Sequence, residues 1–157
     1  MTIRRYREAD HARIMVLQRV AMEAIGFYKD DPHLHSDLND IPGNYLDNRG
    51  EFAVGEADGT IVAMGGIRPF GNNLAEVKRM RVDPSCQRMG YGREVLEYLI
   101  RRAGELGYSG MVLETSVKQT AAQRLYTKCG FVETGREIID GFDCIWYKKI
   151  LPPPRNL

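Results

Sequence analysis

At 157 residues and 43% hydrophobic, the chain has the length of one domain and can bury roughly two thirds of its unfolded surface. Lys plus Arg (22) nearly balance Asp plus Glu (21), so no global charge argues for nucleic acid or a membrane. No apolar run approaches the roughly 18 residues of a spanning helix, and the N-terminus lacks the apolar segment of a signal peptide, so a cytoplasmic location is expected. The cysteines, Cys86, Cys129 and Cys144, are odd in number and lack CxxC spacing, which argues against a disulfide framework or a zinc site. Cys86 reads as a small apolar residue rather than a nucleophile, because no histidine lies near it in sequence. His33 and His35 stand among several acids, yet no metal is expected there.

Thr2–Arg7 alternates enough for a first strand, and Glu8–Asp10 supplies acids suited to a helix start. Ile14, Leu17, Ala21 and Ala24 recur at three- and four-residue steps and give one apolar helical face through Gly26. Residues 27–48 are punctuated by Pro32, Pro42 and Gly43, leaving room for one short helix around Ser36–Leu46. Glu51–Glu56 and Thr60–Arg68 read as strands joined by Ala57-Asp58-Gly59, and a turn at 69–73 returns the chain into Ala75–Val82. Three consecutive short connections predict an antiparallel meander. A helix follows over Gly90–Leu106, with Val95, Leu96, Leu99, Ala103 and Leu106 on its buried face and Gly107 at its C-cap. Met111–Thr115 is an apolar strand, parallel to Ala75–Val82 because a helix connects them. A last helix spans 119–128, and Phe131–Ile139 and Phe142–Ile150 form a hairpin across Asp140-Gly141. The apolar stretch Phe142–Tyr147 reads as a sheet edge needing cover, with Trp146 equally suited to the core. The domain is expected to span 1–150, with 151–157 a mobile Pro-rich tail.

The most informative stretch is 75–93, a strand, a glycine-bearing turn and a helix start. Backbone N–H groups at a helix N-terminus lack intrahelical partners, and the macrodipole places about half a positive charge there. Glycine removes the Cβ that would hold a phosphate away. A turn that needs glycine only for its backbone angles is the competing reading. Neither of two familiar phosphate motifs fits. No lysine follows Gly92 as a P-loop requires, and Val95 stands where a Rossmann fingerprint has its third glycine.

Gln87-Arg88-Met89-Gly90-Tyr91-Gly92 fits [Q/R]xxGx[G/A] and follows a strand ending in Val82-Asp83-Pro84. In this it resembles the acyl-CoA signature of the GNAT superfamily of N-acyltransferases. Ala122-Gln123-Arg124-Leu125-Tyr126, followed by Cys129-Gly130-Phe131, resembles that family's AxxLYxxxGF block. The resemblance covers roughly residues 2–150. It implies an α/β (α+β) fold with a mixed, mostly antiparallel twisted sheet of about seven strands and about four helices on its faces. A splayed central parallel pair would hold CoA. It implies acetyl-CoA as co-substrate, with Met80 and Val82 offering backbone groups to pantetheine and Arg81 between them. Gln87, Arg88, Met89, Gly90, Tyr91, Gly92 and Arg93 would surround the diphosphate. Gln119 replaces the family's usual asparagine, which leaves its contact with pantetheine open.

A lysine-like amine with a pKa near 10.4 leaves only about one molecule in a thousand nucleophilic at neutral pH, a cost of about 4 kcal/mol. A base is therefore useful. The resemblance puts Glu76 in that role, acting directly or through water, against the plainer reading of a solvated strand-end glutamate. It puts Tyr126 beside the leaving thiolate as proton donor, against the reading of a packed tyrosine on the last helix. With no nucleophile–histidine pair, direct attack by the amine in a ternary complex is expected. The mixed charges of residues 26–48 suggest a small amino-acid-like amine as acceptor. A peptide or protein N-terminus or a lysine is the alternative, and a non-catalytic acetyl-CoA-binding module is a third reading. The family resemblance also offers a homodimer through the C-terminal strands.

Overall fold

The computed structural model describes residues 1–153. Seven strands form a single sheet: β1 (Thr2–Arg5), β2 (Glu51–Ala57), β3 (Thr60–Gly71), β4 (Leu74–Val82), β5 (Gly110–Ser116), β6 (Val132–Ile139) and β7 (Phe142–Ile150). They lie in the order β1-β2-β3-β4-β5-β7-β6. Only β4 and β5 run parallel among the pairings. The meander β2-β3-β4 owes its tightness to two-residue turns whose central residues both sit at positive φ, Asp58-Gly59 and Asn72-Asn73. Asp140-Gly141 closes β6-β7 in the same way. Such turns match the right-handed twist of the strands they join.

Helices cover both faces. α1 (His11–Ala24) packs on one face, together with a 3-10 segment at Pro32–Asp40 and a π turn at Pro42–Leu46. Ile14, Leu17, Leu38, Ile41, Tyr45, Phe52, Val54 and Met64 form the core there. The short helix expected over Ser36–Leu46 is thus not α-helical. Asp31 caps the segment through His33 N–H, and prolines stand at the start of both pieces, so the chain turns more tightly and then more widely than an α-helix.

α2 (Tyr91–Glu105) and α3 (Thr120–Lys128) cover the other face. Val95, Leu96, Leu99 and Ala103 of α2 are fully buried, and each larger one contributes about 1.5–3 kcal/mol by leaving water. The helix ends as its glycine predicts. Gly107 adopts φ +84°, its N–H donates to Gly104 C=O at 3.0 Å, and Tyr108 N–H donates to Ala103 C=O at 3.1 Å.

Two boundaries differ from the sequence reading. β7 is not an edge, because it pairs with β5 on one side and β6 on the other. The edge is β6, where Val132 and Ile138 are exposed. The folded unit also reaches one residue past the expected limit, since Leu151 is buried and its N–H donates to Ser109 C=O at 3.0 Å. Of the expected tail, residues 154–157 lie outside the described residues. No helix among those described is long and apolar enough to cross a membrane.

Candidate functional site

The site starts from a failure of strand pairing. β4 and β5 share three register pairs, Leu74–Gly110 to Glu76–Val112, and then part. On its other side β4 slips against β3 between Met64 and Gly66, and Arg79 lies at φ +60°. This bulge turns β4 away from β5 and leaves its β5-facing N–H and C=O groups without ladder partners beyond Glu76. A left-handed arginine costs about 1–2 kcal/mol. It is held there by Asp37, which its guanidinium engages through Nε and Nη2, and by the Leu34 carbonyl. Arg79 and the Tyr45 hydroxyl both donate to Asp37. Against the opposing effect of burial, these contacts hold the Asp37 carboxyl down at about 2.

One groove of about 860 Å³ runs from the splay to the start of α2. Met80, Arg81, Val82, Gln87, Arg88, Gly90, Tyr91, Gly92, Arg93, Gln119 and Tyr126 all line it. Met89 is the member of the expected set that stands outside, 61% exposed. Gly90 is the N-cap of α2 at φ +79°, a conformation that only glycine adopts without strain. The first bond of the helix is Glu94 N–H to Gly90 C=O at 3.1 Å. The N–H groups of Tyr91, Gly92 and Arg93 therefore have no helical acceptor. A Cβ on Gly92 would meet Leu125 and Val82 only at 3.5 Å, ordinary contact distance, so its own fold does not demand glycine there. Arg81, Arg88, Arg93, Lys118 and Arg124 line the groove and no carboxylate among the described residues does, so the electrostatics favour a polyanion.

A second, smaller chamber of about 280 Å³ opens on the α1 side of the splay. Its walls come from distant segments, among them Gln18, Met22, Lys29, His35, Lys78, Glu114, Asp140 and Phe142. Phe27, Met80, Arg81, Gln119, Ala122 and Tyr126 line both cavities and form the passage between them. Gln119 accepts from Thr115 Oγ1 at 2.6 Å and from Ser116 N–H at 3.3 Å, which leaves its NH2 group as the unengaged part.

Tyr126 sits in that passage, 7% exposed. Its ring packs edge-on against Phe131 at 6.0 Å and tilted against Tyr147 at 6.2 Å. Packing and a role at the site are therefore compatible for this residue. Burial pushes its phenol up to about 12, against the opposing charge of Arg81. Its hydroxyl has no hydrogen-bond partner among the described residues.

Glu76 is not brought to Tyr126. It lies where β4 and β5 still pair, faces Arg68 at 3.8 Å, and lines neither cavity. That placement weighs against the sequence assignment of the base. The carboxylate at the splay is Glu114 of β5, two residues beyond the last β4–β5 pair. Sequence reasoning passed over it because one glutamate within an apolar strand looks like an exposed position. The signal was there in the parity, since Met111 and Leu113 face the α2 core and Glu114 must face the other way. Cys86 lines the large groove half-buried. The His35 ring instead engages the Lys29 carbonyl at 2.9 Å and stacks on Tyr28.

Comparisons with known proteins agree on one family. A model described as the acetyltransferase (GNAT) family matches residues 10–131. Human N-acetyltransferase 8 is 31% identical over 126 residues, covering 76% of this chain and 54% of that protein. The chain spans about half the length of the curated relatives it matches. A GNAT-family acetyltransferase from Staphylococcus aureus Mu50 superposes with a TM-score of 0.87 at 24% identity, over 96% of this chain and 99% of that one. An acetyltransferase from Salmonella typhimurium, solved with its cofactor acetyl-CoA, gives 0.76 at 23% identity, over 96% and 94%.

Proposed function

Because this chain belongs to the acetyltransferase (GNAT) family, we propose that it moves an acetyl group from acetyl-CoA to the primary amine of a small, amino-acid-like molecule. The observation that carries this reading is the meeting of a long basic groove and a small chamber at Tyr126. The groove suits a long phosphorylated thioester and the chamber suits a compact acceptor. Pantetheine, itself built of amides, takes the place of the missing ladder along Met80–Val82. The diphosphate takes the N–H groups at residues 91–93 and the charge of the surrounding arginines.

The acceptor amine attacks the thioester carbonyl directly within the ternary complex. A C–N bond forms, the C–S bond breaks, and the sulfur leaves as thiolate, which takes up the second proton that the nitrogen sheds on becoming an amide. A phenol held near 12 stays protonated at neutral pH and donates a hydrogen bond to that sulfur as its charge develops. The amine arrives as ammonium and must lose a proton before it attacks. Glu114, acting directly or through water, is the carboxylate placed to take it. No acyl-enzyme is needed, and among the described residues the one histidine lining the site, His35, engages the Lys29 carbonyl rather than a cysteine.

Thiol release from acetyl-CoA, measured across a panel of amino acids, polyamines and short peptides with product masses, tests the reading. The expectation is turnover on small amino-acid-like amines, sharply reduced in Tyr126→Phe. Tight CoA binding without turnover on any amine would instead mark a binding module. Turnover confined to peptides would move the acceptor class.

A further inference from the structure

We infer that Arg81 is the specificity residue of the small chamber and that it binds a carboxylate of the acceptor. The proposal deepens the acetyl-transfer reading and rests on it. Among the described residues six arginines are half-buried, Arg4, Arg13, Arg68, Arg79, Arg81 and Arg102. Five have a carboxylate within 4 Å, namely Asp10, Asp83, Glu76, Asp37 and Glu51 in that order. Arg81 has none among the described residues. Its Nε donates to the Gln18 carbonyl oxygen at 2.9 Å and its Nη1 to the Met80 carbonyl at 2.9 Å, both uncharged acceptors. A guanidinium has five N–H donors in a planar fork suited to a carboxylate, and most of this one remains unengaged. Leaving such a cation unpaired at the floor of a cleft is costly, and a ligand that pairs it recovers that cost on binding.

The anion must come from the acceptor. The phosphates of coenzyme A lie with residues 88–93 at the far end of the groove in the proposed complex. The end that reaches Arg81 is a neutral thioester. The chamber is cationic as a whole. Asp37 neutralises Arg79, which leaves Lys29, Lys78 and Arg81 against Glu114 and Asp140. Arg81 at the passage and Glu114 in the chamber wall thus offer opposite charges within one cavity, a pair suited to the carboxylate and ammonium of one small zwitterion. At about 280 Å³ the space is at the small end for a ligand pocket.

The test compares amino acids with their methyl esters and amides as acceptors, in the wild type, in Arg81→Lys and in Arg81→Met. Because the ester also changes the basicity of the amine, the reading is the acid-to-ester ratio of kcat/KM in each protein. The wild type is expected to favour the acid by between about tenfold and a hundredfold, the range of a charged hydrogen bond. The ratio should collapse toward unity in Arg81→Met, chiefly through KM, and recover in part in Arg81→Lys. A wild-type ratio near unity, or equal losses on acid and ester in Arg81→Met, would overturn the assignment and leave acetyl transfer standing. If no amine turns over, the transfer reading falls. Calorimetry of N-acetyl amino acids against their amides, on the CoA complex, then still decides the subsite. A preference for the carboxylate that is lost in Arg81→Met supports it, and no preference overturns it.

Discussion

The two cavities that meet at Tyr126 are built on different principles. The large groove includes a backbone site, made of the end of a bulged strand, a glycine N-cap and three N–H groups without helical acceptors, all within residues 80–93. The small chamber is made of side chains from α1, the 3-10 segment, β4, β5 and the β6–β7 turn, which the fold alone brings together. A backbone site holds whatever shares the cofactor's phosphates and amides. A side-chain site can be retuned one residue at a time. In the proposed complex, the cofactor is thus set by the fold and the acceptor by residues that the fold leaves free.

The sharpest way to break this comparison is at the passage itself. Tyr126→Phe removes one oxygen and keeps the ring's packing, so kcat should fall by about 10²–10³-fold with little change in the KM for acetyl-CoA. Unchanged kcat would reduce Tyr126 to core. The choice of base comes next. Glu114→Gln should lower kcat by about 10²-fold near neutral pH, with partial recovery at higher pH where free amine is plentiful. Glu76→Gln should cost only a few-fold. The reverse order would restore Glu76.

Gly92→Ala sharpens the distinction between fold and ligand. Its new Cβ meets protein atoms at contact distance only, so the melting temperature should change little. The diphosphate's approach is obstructed, however, and the KM for acetyl-CoA should rise about tenfold or more. Equal KM values would mean that the cofactor does not approach this turn. The smallest effect is on stability. Asp37 has a folded pKa of about 2, below its unfolded value near 3.9. The stabilisation is fully present above the unfolded value and is lost as pH falls through the folded one. About 2 kcal/mol should therefore disappear between about pH 4 and pH 2, seen as a shift in urea midpoint. Asp37→Asn should be less stable at neutral pH and lose this pH dependence.

What the sequence revealed follows the same division. Gly90, Gly92 and Gly107, the Asp-Gly turns and the apolar stripe of α2 announced themselves because local chemistry dictates local backbone. The glycine turn of the groove was legible for that reason, whereas Met80, Arg81, Val82, Gln119 and Tyr126 were reached only through the family resemblance. The chamber was not legible. Arg79 reads as an ordinary strand cation until the bulge turns it onto Asp37, 42 residues away. Arg81 reads the same way until every other half-buried arginine among the described residues proves to be paired. Glu76 had the expected position along β4, but position along a strand does not say where the neighbouring strand departs. β7 looked like an edge because pairing on both sides is a property of topology, not of the strand's own composition.

A CoA thioester occupying the splay and the start of α2 underlies all of these expectations for activity. Backbone amide shifts of ¹⁵N-labelled protein, followed while acetyl-CoA is added, test that directly. The largest changes are predicted at the N–H groups of Tyr91, Gly92 and Arg93 and at Met80 to Val82. Changes confined to other surfaces, with these amides unmoved at saturation, would contradict it.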